Sequence, residues 1–244
     1  MNMKKTVLIA LGSLCFALPA AAQWGQRVKG NGVEATEKRQ VGPYDQISVS
    51  HVIKATLVPG PEGELVLEGE ENLLEHVVTE ISGNRLTLKA EKGYQLEPSR
   101  GSDGIRIRVP VEDLRALEVS GAAEVTGQGA FSFPQFEIGG SGAAEMDLEV
   151  NSSSLAVEVS GACEVTLRGT AERLEIEGSG ASELDAYGLQ AREVEARLSG
   201  SAEARVSVEA ALRAQVSGAG DLHYRGNPEK LQSQASGAGN VSKG

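Results

Sequence analysis

The sequence predicts an all-β protein folded as a β-solenoid, with about seven repeats of roughly 19 residues. Two observations carry this prediction: a Ser-Gly phrase that returns through the second half of the chain, and the alternation of apolar and polar residues before each phrase. The serines of the phrase are Ser120, Ser141, Ser160, Ser179, Ser199, Ser217 and Ser236. They advance by 21, 19, 19, 20, 18 and 19 positions, and a fixed period near twenty residues is typical of stacked repeats.

Each repeat contains a predicted strand with one buried and one solvated face. Leu155, Val157 and Val159 alternate with other residues before Ser160. A period of two indicates a half-buried strand and excludes a helix, whose apolar residues recur about every 3.6 positions. A second short strand follows each corner, as at Val165.

The glycine after each serine is predicted to turn the chain at a corner, because glycine tolerates a positive φ that other residues resist. These structural turns are Gly121, Gly142, Gly161, Gly180, Gly200, Gly218 and Gly237. Stacking at about 4.8 Å would let each strand hydrogen-bond to the coils on either side. One coil cannot bury its apolar face alone, so the repeats must stabilise one another.

Two arrangements of the repeats are compatible with the sequence. The residue before the serine alternates between large and small in the first four repeats, from Val119 to Gly140, Val159 and Gly178. Such alternation would suit a double-length unit in which two repeats make one wide coil. We favour one repeat per coil.

Residues 1–22 are predicted to be a signal peptide. Lys4 and Lys5 precede an apolar run that is short for a membrane span, and Ala20-Ala21-Ala22 fits a signal-peptidase site. The expected location is the periplasm, the outer-membrane surface or the extracellular space, with no integral membrane span after signal removal.

The part before the repeats divides into a polar segment, residues 23–40, and an irregular β half, residues 41–113, that caps the repeat solenoid of residues 114–244. The polar segment is expected either to wrap around the folded part of the chain or to fray. Strands are predicted at Ile47–Val49, Val52–Leu57, Glu64–Glu68, Arg85–Lys89 and Ile105–Val109. Glu70–Val78 has helical spacing and is predicted as one short helix. Tyr94–Gly104 lacks a pattern and is expected to be an exposed loop.

Composition excludes some classes of function. The formal net charge is −11, and loss of Lys4 and Lys5 would take it to about −13. A chain this acidic is not attracted to nucleic acid, and no basic patch with interleaved aromatic residues contradicts that. After signal removal Cys163 is the only cysteine, so no internal disulfide is expected. Cys163 is interpreted as a small residue in a closely packed position, with a reactive thiol as the alternative.

The chain resembles the head GIN domain family on three stretches of its sequence. They are Tyr44-Asp45-Gln46-Ile47-Ser48-Val49, Gly69-Glu70-Glu71-Asn72-Leu73 and the recurring Ser-Gly-Ala-Gly-Asp/Asn phrases. Members of that family are described as auto-transporter adhesins of bacterial envelopes, chiefly from Bacteroidetes. The resemblance covers residues 41–242 and implies a right-handed β-helix and a role in adhesion, with no catalytic residues to transfer. This chain departs from the family in carrying glutamate where Gly-Asp or Gly-Asn is commoner.

An acidic ladder is predicted four positions after each serine. Its members are Glu124, Glu145, Glu164, Glu183, Glu203, Asp221 and Asn240. Carboxylates about 5 Å apart repel by about 0.8 kcal/mol in water, so the ladder must be solvated, bind a cation or change its protonation. We favour a solvated ladder that binds no cofactor, and keep calcium as an alternative. The nonapeptide calcium-binding repeat is absent from the sequence.

The ladder also raises the question of catalysis, because retaining glycosidases need two carboxyl groups about 5–5.5 Å apart. One acid must be neutral and the other ionised, whereas the repeats offer near-identical surroundings. The sequence therefore favours a non-catalytic binding protein or scaffold over a glycoside hydrolase or polysaccharide lyase. A cleft beside Tyr94–Gly104, rimmed by unlike carboxylates and aromatic residues, would favour the enzyme.

The expected partner is a protein or glycan on a cell surface, or a second copy of the chain bound at the C-terminal end. The residue three positions before each serine is predicted to face the core, and its side chain becomes smaller along the chain. The series is Leu117, Ile138, Val157, Ile176, Ala196, Ala214 and Ser233. The sequence runs to Gly244 without a helix that would cover the last strand, and an open strand edge is a template for pairing.

Overall fold

The structure is a computed structural model that describes residues 25–244; the predicted signal peptide lies outside the described residues. The first half contains β1 (Gln26–Lys29), β2 (Glu34–Gln40), β3 (Gln46–His51), β4 (Ile53–Pro59), β5 (Glu64–Glu70), α1 (Glu71–Leu74), β6 (Val77–Ser82), β7 (Arg85–Ala90), β8 (Tyr94–Glu97) and β9 (Ile105–Val111). The second half contains β10 (Ala116–Gly121), β11 (Glu124–Gly142), β12 (Glu145–Val159), β13 (Glu164–Gly178), β14 (Glu183–Leu198), β15 (Glu203–Gly218), β16 (Asp221–Arg225), β17 (Lys230–Gly237) and β18 (Asn240–Lys243).

The second half is a β-solenoid, as predicted. Strands β10 to β15 pair in parallel, each with the next, and β17 continues this stack on β15. Val159 pairs with Gly178 and Gly178 pairs with Leu198, so consecutive repeats lie in consecutive coils. One repeat therefore makes one coil, and the large and small residues before the serines alternate along a single file.

The core runs along the inside of the solenoid. Leu155, Val157 and Val159 are at most 2% exposed, as the alternation predicts. Near the junction of the two halves, Phe133 packs between Phe131 and Phe136, with ring centroids 5.7 and 5.1 Å apart. Inward-facing residues of neighbouring coils thus form one continuous apolar interior.

The first half begins the stack but is not a regular coil. Strands β3 and β4 pair in parallel with β10 and β11, and β7 extends the stack beyond β3. Antiparallel pairs then cover this end: β2 with β5, β5 with β9 and β6 with β7. All five strands predicted between Ile47 and Val109 are present.

Three details of the first half differ from the sequence predictions. The helix spans only Glu71–Leu74, because Val77 and Val78 join β6 and pair with β7. The predicted loop Tyr94–Gly104 begins with β8, whose Leu96 is buried. The polar segment contains β1 and β2, which are held by pairing with β8 and β5. In each case a second strand supplies hydrogen bonds: β7 forms a hairpin with β6, whereas the partners of β1, β2 and β8 are distant in sequence. No helix in residues 25–244 combines the length and apolarity that crossing a bilayer requires.

Candidate functional site

A file of eight serines runs along one side of the solenoid. Ser50 pairs in register with Ser120 and Ser120 with Ser141, and the same register continues to Ser217 and Ser236. Ser50 is a member that the repeat pattern does not identify, because its repeat is interrupted by the irregular segment after β3. Three of the serine hydroxyls lie 3.4–3.5 Å from a carbonyl oxygen of the preceding coil, so their bonding to the protein is weak. The file therefore presents hydroxyl groups at regular intervals.

A groove of about 610 Å³ lies over the C-terminal part of this file. The serines along it are Ser160, Ser179, Ser199, Ser217 and Ser236, and the side chains two positions before them are Glu158, Glu177, Arg197, Gln215 and Gln234. The residues between these two rows, such as Val159 and Val216, point inward and are 2% exposed. The groove is therefore lined by polar side chains from both rows, with exposed Ala235 between them in the last coil.

The charge of the groove changes along its length. Carboxylates occupy its N-terminal part, and a smaller cavity of about 250 Å³ on the same face is lined by further glutamates. Arg197 follows, and its guanidinium contacts Glu175, Glu177 and Glu195. Hydrogen bonding to Glu175 and the nearby Glu195 charge raise the pKa of Arg197. Beyond Arg197 the row ends in the neutral amides of Gln215 and Gln234.

All seven turn glycines have positive φ, between 72° and 87°. They also lie directly over one another: a Cβ added to Gly161 would be 2.6 Å from the carbonyl oxygen of Gly142. Both backbone conformation and space therefore require glycine at this corner. His51 occupies the corresponding position in the coil before Gly121. It therefore belongs to the same column of corner residues, the corner file.

The acidic ladder is stacked in register. Glu124 pairs with Glu145, Glu145 with Glu164, and Glu164 with Glu183; the remaining members, Glu203, Asp221 and Asn240, follow in the same way. The ladder lies on the strand after the corner, on a different side of the coil from the groove.

Basic residues neutralise part of the ladder. Lys54 lies 3.1 Å from Glu124, and Arg205 bridges Glu183 and Glu203 at 2.5 and 2.6 Å. Hydrogen bonding to Glu183 raises the pKa of Arg205. Within residues 25–244, no group of three or more His, Cys, Asp or Glu side chains is placed to hold a metal ion. Ion pairing thus relieves some of the repulsion that the sequence predicts.

A cleft of about 920 Å³ separates the first coils from the segment Pro98–Arg106. Its carboxylates are Asp103, Glu124 and Glu145, and its lining contains no aromatic side chain among the described residues. Asp103 is paired with Arg106, and Glu124 with Lys54. These two carboxylates therefore form ion pairs, and the aromatic rim that would favour an enzyme is not found there.

The wall of this cleft is fixed by Glu70, whose role the sequence did not reveal. Glu70 is 1% exposed, and its two carboxylate oxygens accept hydrogen bonds from the backbone N–H groups of Gly32 at 2.6 Å and Ser99 at 2.8 Å. The Ser99 bond lowers the pKa of Glu70 against the opposing effect of burial. Asn72 adds two bonds to the turn between β1 and β2: its Oδ1 accepts from Asn31 N and its Nδ2 donates to the Lys29 carbonyl. The Gly69–Leu73 motif thus holds the β1–β2 turn and Ser99 in place, and we refer to it as the latch.

A family model described as "Putative auto-transporter adhesin, head GIN domain" matches residues 43–228 of the chain. No curated protein matches the chain significantly. The match includes the corner glycines from Gly121 to Gly218 and the latch motif.

Solved structures of proteins from Bacteroides and Parabacteroides have the same fold. One, described as a putative adhesin from Bacteroides fragilis, has a TM-score of 0.78 at 20% identity and covers 88% of this chain and 99% of its own. Another, described as a putative lipid binding protein from Parabacteroides distasonis, has a TM-score of 0.71 at 23% identity and covers 90% of this chain and 100% of its own. At these identities the likeness establishes the fold.

Proposed function

The chain belongs to the head GIN domain family, and from that premise we propose that it is a non-catalytic binding protein of the bacterial envelope, of the adhesin type. Its ligand lies along the groove over the serine file. The observation that carries this proposal is the in-register row of hydroxyl groups beneath an open groove of about 610 Å³. A ligand with its own regular repeat can meet the same groups in successive coils.

We assign the ligand to an extended glycan of a cell surface. The polar groups of the lining are serine hydroxyls, glutamine amides, glutamate carboxylates and the Arg197 guanidinium, all of which form hydrogen bonds with sugar hydroxyls. A lipid chain would require large exposed apolar side chains, whereas Val159, Leu198 and Val216 of the groove point into the core. An extended protein segment is the other ligand that such a face accommodates.

Binding is favoured over catalysis by the repeated placement of the carboxylates. Acid catalysis needs two carboxyl groups with different protonation, and hence different surroundings. In the groove, Glu158 and Glu177 occupy equivalent backbone positions of consecutive coils, and they differ in the ion pair that Glu177 forms with Arg197. The family and the structural neighbours are likewise described by adhesion or binding.

The proposal is tested by binding of the mature chain to a panel of bacterial and host polysaccharides and to whole cells. Ser199→Trp places a bulky ring in the groove and is expected to lower binding about tenfold or more, because a filled groove excludes the ligand. Gln190→Trp is the matched control, since Gln190 is exposed on β14, the strand that ends just before Ser199, and does not line the groove.

Both variants must keep the melting temperature of the unmodified chain. Equal binding by the two tryptophan variants would contradict the groove as the site. Shortening of a bound polysaccharide, detected by mass spectrometry, would contradict the non-catalytic assignment.

A further inference from the structure

The last strand of the solenoid face has an open edge. Strand β17 pairs with β15 along its whole length, from Lys230 opposite Ala211 to Gly237 opposite Gly218. Within residues 25–244 no strand pairs with the other edge of β17, and all eight of its residues are exposed. Its outer N–H and C=O groups are therefore available to another strand.

The opposite end of the stack is protected in the manner expected of an edge strand. Strand β6 carries the charged residue Glu80, and charges discourage pairing with another chain. Arg39 reaches over the same region and donates hydrogen bonds to the carbonyl oxygens of Val77 and Leu74. Comparable protection is missing from the middle of β17, because the chain carries no charge between Leu231 and Ser242.

Amides replace charged groups in this last coil. Along the outer row that passes through Glu177 and Arg197, the final members are Gln215 and Gln234. Gln232 likewise follows Arg213 in the neighbouring row, and Asn240 ends the acidic ladder. Residues 231–242 thus form an uncharged run that includes most of the exposed strand β17, and depletion of charge is typical of the core of an interface.

We propose that β17 pairs antiparallel with β17 of a second copy of this chain, around a two-fold axis at Ser233. Pairing must place inward residues opposite inward residues, since a shift of one residue would expose the apolar side. Leu231, Ser233 and Ala235 are the inward residues, because they continue the buried file of Leu212, Ala214 and Val216. The proposed register, centred on Ser233, satisfies this rule and sets Leu231 opposite Ala235 of the partner subunit, and Gln232 opposite Gln234 of the partner subunit.

A second copy would bring an identical uncharged strand to this edge. Each chain has a formal net charge of −11, which opposes association of two copies elsewhere on their surfaces. At β17 no like charges face each other, and paired glutamine amides hydrogen-bond across the strands. A two-fold contact also pairs the β17 edges of both copies at once, and an isologous contact of this kind closes as a dimer. This inference does not depend on the proposed function, since the two-fold axis lies at β17 and most of the groove lies on earlier coils.

The experiment measures the mass of the mature full-length chain by sedimentation velocity and light scattering over a wide concentration range. The unmodified chain is expected to dimerise. Gln232→Glu combined with Gln234→Glu sets carboxylates opposite each other twice per dimer and should raise the dissociation constant about tenfold or more, with recovery at high salt. Gln232→Glu combined with Gln234→Lys keeps the same positions but sets opposite charges across the axis, and the dimer is expected to persist.

Gln215→Glu is the matched control, because it adds a carboxylate to the same row one coil earlier. It should leave the mass unchanged, and melting temperatures show whether each variant keeps its fold. A monomer at every concentration would overturn the proposal. A dimer that is insensitive to the Glu/Glu pair, or equally weakened by the Glu/Lys pair, would overturn the register.

Discussion

His51 lies in register with Gly121 at the first corner of the stack, and its φ of 71° is close to the 75° of that glycine. In residues 25–244 it is the only residue other than glycine with positive φ. A left-handed conformation costs a residue with a Cβ about 1–2 kcal/mol. The protein therefore carries local strain where the corner file begins.

His51→Gly is expected to stabilise the protein by about 1 kcal/mol, because it removes this strain and loses only an exposed bond to Ser50. Urea denaturation measures the change. His51→Ala keeps the strained backbone and should give no gain. Equal stability of the Gly and Ala variants would show that the corner does not strain the chain.

Gly161→Ala is expected to destabilise the protein by about 2 kcal/mol or more. The new Cβ would lie 2.6 Å from the Gly142 carbonyl oxygen, in addition to the strain of a φ of 85°. Gly83→Ala separates the two effects, because Gly83 has a φ of 61° but open space where a Cβ would lie. Thermal unfolding should show a clearly larger loss for Gly161→Ala, and similar losses would contradict close stacking of the corners.

Glu70→Gln is expected to destabilise the protein by about 1–3 kcal/mol, since glutamine has one acceptor oxygen for two N–H donors. Glu71→Gln is the control, because Glu71 is exposed and accepts one side-chain bond of 3.3 Å from Asn31. Chemical denaturation at neutral pH compares the two, and an equal cost would contradict the latch.

Acid should weaken the same latch. Hydrogen bonds lower the pKa of folded Glu70 below its ordinary value of 4.5, so its contribution is present above pH 4.5 and is lost as the pH falls through the folded pKa. The unmodified chain is therefore expected to lose more stability than Glu70→Gln below pH 4.5. Parallel pH profiles of the two proteins would exclude Glu70 as a source of acid sensitivity.

Calcium is expected to leave the melting temperature unchanged. No described group of carboxylates is placed to hold a metal ion, and Lys54 and Arg205 already pair with members of the ladder. Differential scanning calorimetry with millimolar calcium or excess chelator checks this, with sodium chloride of matched ionic strength as the control. A calcium-specific rise would restore the cation-binding alternative.

The repeated half of the fold could be predicted from sequence because its information is local and periodic. Alternation at Leu155, Val157 and Val159 fixes which face is buried, and a recurring Ser-Gly pair fixes where the chain turns. Once such coils stack, the alignment of Glu145 with Glu164 follows from the constant spacing. The ladder and the turn glycines were therefore recognisable before any coordinates.

The tertiary structure determines those features of the fold that do not recur at a fixed spacing in the sequence. The interrupted repeat at Ser50 and His51 joins the file only because β3 pairs with β10. Glu70 becomes buried only when Gly32 and Ser99, distant in sequence, fold against it. Pairing likewise decided that one repeat makes one coil and that β8 forms a strand. Hydrogen bonds between distant segments carry this information, and a short stretch of sequence specifies only one of the two partners.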